Sequence, residues 1–189
     1  MKYSNARSGE EMQVYRLDGR KVSLSSDLDS SLAPEIAELA NDREISRNIG
    51  GHFFPYPYKV EDALAFFSKN REEGRRFFAI DFIIFHSGHP AGIIGLSDID
   101  YTDNKCHVGY WIGKKYWGKG LATESLGLVT DFARNELSMH RIYTGVLEFN
   151  TASMSVLVKN GYSVEGIERE TYLMDGKYWS FVRFARIFP

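Results

Sequence analysis

Eight residues, Gly113-Lys114-Lys115-Tyr116-Trp117-Gly118-Lys119-Gly120, have the make-up of a loop that holds an anion. Glycines let a backbone approach a phosphate closely, and Lys114, Lys115 and Lys119 bring local positive charge. A strand-like stretch, Cys106 to Ile112, leads into the loop, and a helical pattern starts at Leu121. In that setting the unpaired N–H groups of the helix's first turn point toward whatever the loop holds. The bland alternative is a plain strand-to-helix turn with solvated lysines. The loop also comes within one residue of the P-loop G-x-x-x-x-G-K-[ST], but Gly120 stands where a magnesium-binding hydroxyl is needed. The strands before it read as a meander instead of a parallel βαβ unit, a second argument against a nucleotide triphosphatase.

Proton-transfer chemistry has its own candidates. His107 lies in the strand before the loop and has an ordinary pKa suited to a base near neutrality, although a lone histidine on a strand is more often structural. Asp98, Asp100 and Glu148 are rival carboxylates near strand ends. Asn150-Thr151-Ala152-Ser153 places an amide three residues before a hydroxyl; a helix N-cap with a first-turn serine bonded to backbone explains that spacing equally well.

These residues need a scaffold, and the chain supplies one in order. Residues 1–12 are polar and are expected as a flexible leader, with 13–189 as a single domain. Val14 to Leu24 carries an Asp18-Gly19 turn between short β-prone stretches. Ser31-Leu32-Ala33-Pro34 opens one helix with apolar Ile36, Leu39 and Ala40, and Val60 to Glu72 forms another with Ala63, Leu64, Phe66 and Phe67; an aromatic loop lies between them. Phe77 to Phe85, Pro90 to Ile99 and Cys106 to Ile112 alternate as strands, separated by Ser87-Gly88-His89-Pro90 and Thr102-Asp103-Asn104, and predict an antiparallel meander. Leu121, Ser125, Leu128, Val129, Phe132 and Ala133 recur at helical spacing, Arg141 to Leu147 returns as a strand, and a short helix ends at Asn160-Gly161. Tyr178 to Ile187 alternates again. The class is α+β with a mixed sheet.

Composition narrows the function. With 23 basic and 25 acidic residues, a net charge of -2 and a pI near 6.2, the chain lacks the basic excess of a protein held by nucleic-acid backbone. One cysteine, Cys106, excludes an internal disulfide and any multi-cysteine zinc site, and no metal is expected. The longest apolar run, Phe77 to Phe85, is interrupted by Asp81 and falls far short of a membrane span. A cytoplasmic protein is the expectation.

Several of these stretches together resemble the GNAT N-acetyltransferases, in particular the RimJ/RimL-like branch that includes ribosomal-protein N-terminal acetyltransferases. The resemblance covers nearly all of the chain after the leader. It is carried by Phe54-Pro55-Tyr56-Pro57-Tyr58 ahead of Glu61-Asp62-Ala63, by Gly92-Ile93-Ile94-Gly95, and by Val108-Gly109-Tyr110-Trp111-Ile112. It continues through Tyr116 to Glu124, Arg141-Ile142, Asn150-x-x-Ser153, Lys159-Asn160-Gly161-Tyr162, Glu165-Gly166 and Asp175-Gly176. The family's pyrophosphate loop, Gln/Arg-x-x-Gly-x-Gly/Ala, here starts with Lys115.

The resemblance implies a GNAT fold, a mostly antiparallel twisted sheet of about seven strands with about four helices, and an acetyl-CoA-dependent N-acetyltransferase. It implies that the strands ending at Ile112 and near Leu147 splay apart to take the acyl-CoA arm like an added strand. Trp117, Gly118, Lys119, Gly120, Leu121, Ala122 and Thr123 would hold the pyrophosphate, with Lys115 helping. Trp111, Ile112 and Gly113 would offer backbone to the pantetheine arm, Asn150 would bind its amide, and Lys159 would approach the phosphates. Phe54, Tyr56 and Tyr58, with neighbouring His52 and Phe53, would line the acceptor pocket, some of them serving only as core. Such domains often pair as homodimers.

Acyl transfer to an amine needs a neutral amine, donors for the oxyanion and a proton for the leaving thiolate. An α-amine with pKa near 8 costs about 1 kcal/mol to deprotonate at pH 7, and a lysine near 10.4 about 4.6 kcal/mol, so a weak base suffices for peptide N-termini. The tyrosine that many relatives use to protonate the thiolate is replaced here by Leu157. In the RimL-like branch a serine at the position of Ser153 is thought to serve, and His107 stands where relatives often carry a glutamate beside the acceptor. The acceptor leading this reading is a protein N-terminus. Polyamines and aminoglycoside-like amines stay open, as does a non-catalytic acyl-CoA-binding module, which Leu157 favours.

Overall fold

The computed structural model describes residues 13–51, 54–75 and 78–189. The Asp18-Gly19 turn closes a short hairpin, β1 (Arg16–Asp18) and β2 (Ser23–Ser25). Pro34 sits in the first turn of α1 (Ala33–Ala40), where its missing N–H costs nothing. A second helix, α2 (Arg43–Ile49), follows at once, its N-terminus capped by Asp42, which accepts from the N–H groups of Glu44 and Ile45. The helix α3 (Val60–Arg75) precedes a meander of β3 (Ile80–His86), β4 (His89–Asp100) and β5 (Lys105–Ile112). The remaining elements are α4 (Leu121–Asn135), β6 (Arg141–Leu147), α5 (Thr151–Lys159), β7 (Ser163–Met174) and β8 (Lys177–Ile187).

All eight strands form one sheet in the order β1-β2-β3-β4-β5-β6-β8-β7. Only β5 and β6 run parallel, as a strand–helix–strand crossover through α4 requires. Strand alternation sends Phe82, Ile84, Ile94 and Val108 to one face, where they pack against Leu126, Val129 and Phe132 of α4. Ile83 and Ile93 point the other way, against Ile36, Ala63 and Phe67 of α1 and α3. Both faces of the central strands β3 and β4 are therefore covered. Cys106 lies in the first core, where burial pushes its thiol up to about 12 and removes it as a nucleophile.

Two elements exceed the expectation, giving eight strands and five α-helices among the described residues. The seven residues of α2 bury only Ile45 and Ser46, too few to show a period. The strand β7 is an edge, mostly exposed on both faces, so the apolar alternation by which strands are recognised is missing from Glu165 to Thr171. The β3–β4 turn is tighter than expected: Ser87 and Gly88 both have positive φ (53° and 81°), and His89 and Pro90 already pair with His86 and Phe85. Phe77, the expected start of β3, and residues 1–12 lie outside the described residues. No helix among the described residues is long and apolar enough to cross a membrane.

Candidate active site

Between β5 and β6 the ladder is short. Lys105, Cys106 and His107 pair with Arg141, Ile142 and Tyr143; beyond them β5 pairs only with β4, and β6 only with β8. A bulge marks the place: two residues of β4, Asp98 and Ile99, oppose one of β5, and Asp98 takes φ 50°. Such bulges increase local twist. The gap widens into a cavity of about 950 Å³. Its two walls are strand edges with unpaired amides, able to accept an extended amide-bearing ligand as an added strand.

The glycine loop closes one end. Lys114–Tyr116 makes a single 3-10 turn, and Gly118 and Gly120 adopt φ 74° and 80°, which favour glycine. Gly120 caps α4 without any side-chain hydrogen bond, so the first N–H groups of the helix face the cavity mouth uncapped. Trp117 Nε1 donates to the Ile112 carbonyl at 2.7 Å and folds the loop back on β5. Among the expected binding residues, Trp111, Ile112, Trp117, Gly118, Gly120, Leu121, Ala122, Asn150 and Ser153 line this cavity. Gly113, Lys115, Lys119, Thr123 and Lys159 lie outside its lining. The lysines are arranged in an unexpected way. Lys114 is engaged by Glu44 at 2.7 Å, and Lys115 and Lys119 lie over the Tyr116 ring. A further cation arrives from the β1–β2 turn, where Lys21 donates to the Lys119 carbonyl at 3.0 Å.

The unforeseen helix α2 roofs the cavity. Ile45, Asn48 and Ile49 line it, and Arg47 lies over the rings of Phe149 and Trp179.

A second cavity of about 430 Å³ meets the first. The two share Ile49, Ser97, His107, Gly109, Tyr110 and Trp111. Its far wall holds Phe54, stacked on Tyr58 at 4.8 Å and edge-on to Trp111 at 5.7 Å, together with Phe66 and the side chains of Asp62 and Asp81. Tyr56 lines neither cavity and is 54% exposed; His52 and Phe53 lie outside the described residues. Ser46 donates to the Phe54 carbonyl at 2.7 Å, tying the aromatic loop to α2. Burial pushes the Tyr58 hydroxyl up to about 12. Asp81 was legible only as a break in an apolar run. A Cβ at Gly95 would collide with its carboxylate, so that glycine makes its room.

Where the cavities meet, His107 Nδ1 lies 3.2 Å from Ser97 Oγ, and its ring meets Tyr143 edge-on. Burial lowers the His107 pKa, Arg183 adds to the effect and Asp98 opposes it, leaving a neutral imidazole at pH 7. Two rivals are occupied: Asp100 accepts from the N–H groups of Thr102 and Asp103, and Glu148 Oε1 from Ser180 N. Asp98 lines the larger cavity. Asn150 Oδ1 accepts from Ser153 N at 3.1 Å, the N-cap of α5, while its Nδ2 donates to the Asn48 carbonyl at 3.4 Å. Ser153 Oγ lies 2.9 Å from Tyr110 Oη. Leu157, one turn on, is fully buried. Strand alternation puts Tyr110 on the core face with Cys106 and Val108, which gives it no site role; it packs against that core and also lines the cavity.

The GNAT acetyltransferase domain matches residues 26–163 of this chain. The chain is 45% identical over 69 residues to YjcK of Bacillus subtilis, a stretch covering 36% of this chain and 38% of that protein. It is 25% identical over 152 residues to a spermidine N(1)-acetyltransferase of Escherichia coli, covering 79% and 77% of the two chains. It is 27% identical over 138 residues to the ribosomal protein uS5-alanine N-acetyltransferase of the same organism, covering 71% and 69%. Among solved structures, RimL, a ribosomal L7/L12 alpha-N-protein acetyltransferase in complex with coenzyme A, superposes with a TM-score of 0.83 at 20% identity over 92% of this chain and 98% of that one. The splayed β5–β6 pair, the left-handed glycine loop at the head of α4 and the match over residues 26–163 lead to one conclusion: the chain belongs to the GNAT acetyltransferase family.

Proposed function

We propose that this domain transfers acetyl from acetyl-CoA to a primary amine, foremost the α-amine of a protein N-terminus, by direct attack in a ternary complex. The observation that carries this reading is the pair of cavities with a common wall at His107, Tyr110 and Trp111, which lets donor and acceptor be held together. Acetyl-CoA, when bound, supplies a thioester carbonyl: a C–N bond forms, the C–S bond breaks, and the proton lost by the amine balances the one gained by sulfur. The residues present fit that group. Gly118, Gly120 and the uncapped start of α4 suit the diphosphate, and the unpaired β5 edge near Trp111 and Ile112 suits the amide-bearing arm. Neutral His107 is the base that draws a proton from the incoming ammonium, and Ser153 Oγ is the hydroxyl donor on the leaving-group side. The aromatic wall of Phe54 and Tyr58 accepts the residues behind the amine.

A second acceptor class has its own support. Asp62 and Asp81 in the smaller cavity attract a cation, and the similarity to a spermidine acetyltransferase points the same way. The test is release of CoA from acetyl-CoA across N-terminal peptides, polyamines and aminoglycosides, with calorimetric CoA binding. Turnover on peptides is expected. Tight CoA binding with no turnover on any class would replace the proposal with a non-catalytic acyl-CoA-binding module.

A further inference from the structure

Serines 153 and 155 stand two residues apart in α5, yet their hydroxyls are treated differently. Ser155 Oγ donates to the Thr151 carbonyl at 2.9 Å, the ordinary backbone bond of a helical serine. Ser153 lines the larger cavity; Tyr110 Oη lies 2.9 Å from its Oγ, a contact in which either oxygen can donate, and 3.3 Å from its backbone carbonyl, the longer alternative for the one phenol proton. Tyr110 reaches it from β5 and lines both cavities. The helix itself offers no phenol here, since Leu157 is fully buried one turn on.

We propose that Tyr110 is the positioning residue for Ser153: the phenol donates to Ser153 Oγ, so that the single Ser153 proton is turned into the cavity, toward the sulfur of a bound thiol or thioester. A hydroxyl has one proton and two lone pairs, so a donor on the oxygen sets the direction in which its own proton points. Chains of this kind also polarise each link, making the terminal O–H a stronger donor to a developing thiolate. The phenol remains a donor throughout the working pH range, because burial pushes it up to about 12 against the weaker pull of the Ser153 bond. Tyr110 touches no reacting atom and acts only through the serine.

The inference rests on the acetyl-transfer reading, and its test separates the two. Calorimetry compares CoA with desulfo-CoA, at a pH where part of the thiol is ionised, in the wild type, Tyr110→Phe, Ser153→Ala and the double variant. A hydrogen bond to a charged group predicts a roughly tenfold or greater preference for CoA in the wild type. Tyr110→Phe and Ser153→Ala should each abolish it, and the double variant should lose nothing further. In turnover, Tyr110→Phe should lower kcat about tenfold with the KM for acetyl-CoA and the Tm unmoved. A Tyr110→Phe protein that keeps the preference, or losses that add in the double variant, would overturn the pairing while leaving acetyl transfer intact. A wild type that binds neither ligand removes both readings.

Discussion

The two cavities meet at one wall but are made of different material. The larger is framed mainly by backbone features: strand edges unpaired beyond His107 and Tyr143, left-handed glycines and an uncapped helix start. The smaller is built from side chains, the Phe54–Tyr58 stack, Phe66, Asp62 and Asp81, carried mainly by the loop after α2 and by α3. Backbone recognises what every acyl carrier of a kind has in common, whereas side chains on a loop can change without disturbing the fold. On the proposed reading, the half built on backbone is general and the half built on side chains is particular.

The sharpest way to break that comparison is Gly120→Val. At φ 80° a β-branched residue is strained whatever space surrounds it, and the helix start must move. CoA affinity should fall about 100-fold by calorimetry, which at about 1.4 kcal/mol per decade equals roughly 3 kcal/mol. Unchanged affinity would mean that the loop is not the donor site. Phe54→Leu works on the other half: the acceptor KM should rise about tenfold and the CoA Kd stay within about twofold, with a stability loss of about 1 to 2 kcal/mol from the loosened stack. If the CoA Kd moves as much as the acceptor KM, the halves are not separable. Asp81→Asn keeps shape and removes charge. It should weaken polyamine acceptors about fivefold and leave neutral-tailed peptides alone; equal effects on both would take Asp81 out of acceptor choice.

The smallest effect is a pH dependence at the common wall. Burial lowers the His107 pKa, so near and below about pH 6.5 the unfolded chain binds a proton that the folded one refuses. Stability should fall as pH drops through that window and recover above it. In His107→Gln this part of the Tm slope between pH 5.5 and 7.5 should vanish, along with the acidic limb of the rate profile if His107 is the base. A slope and limb identical to wild type would reduce His107 to a packing residue.

Much of the larger cavity was legible along the chain, and far less of the smaller. Gly118 and Gly120 announce themselves because a left-handed turn restricts which residues can stand there. Asn150 shows through capping chemistry: it is the N-cap of α5, and both it and Ser153 line the larger cavity. Tyr110 and Asp81 were hidden, since alternation says only which face a side chain takes, and a strand that parts from its neighbour changes what that face meets. Lys114 read as a phosphate-side charge, but a partner 70 residues earlier, Glu44, holds it. The roof formed by α2 left no periodic trace.

Local chemistry in the sequence determined the sheet's alternating strands, the helix that follows the glycines and the backbone shape of the loop, because turns, caps and alternation depend on residues a few places apart. Tertiary structure alone decided that β5 and β6 part after three pairs, that Tyr110 meets Ser153, and that Asp81 lies against Gly95 in the lining of the smaller cavity. Each depends on the twist of a whole sheet and on contacts between distant segments, which spacing along the chain does not encode.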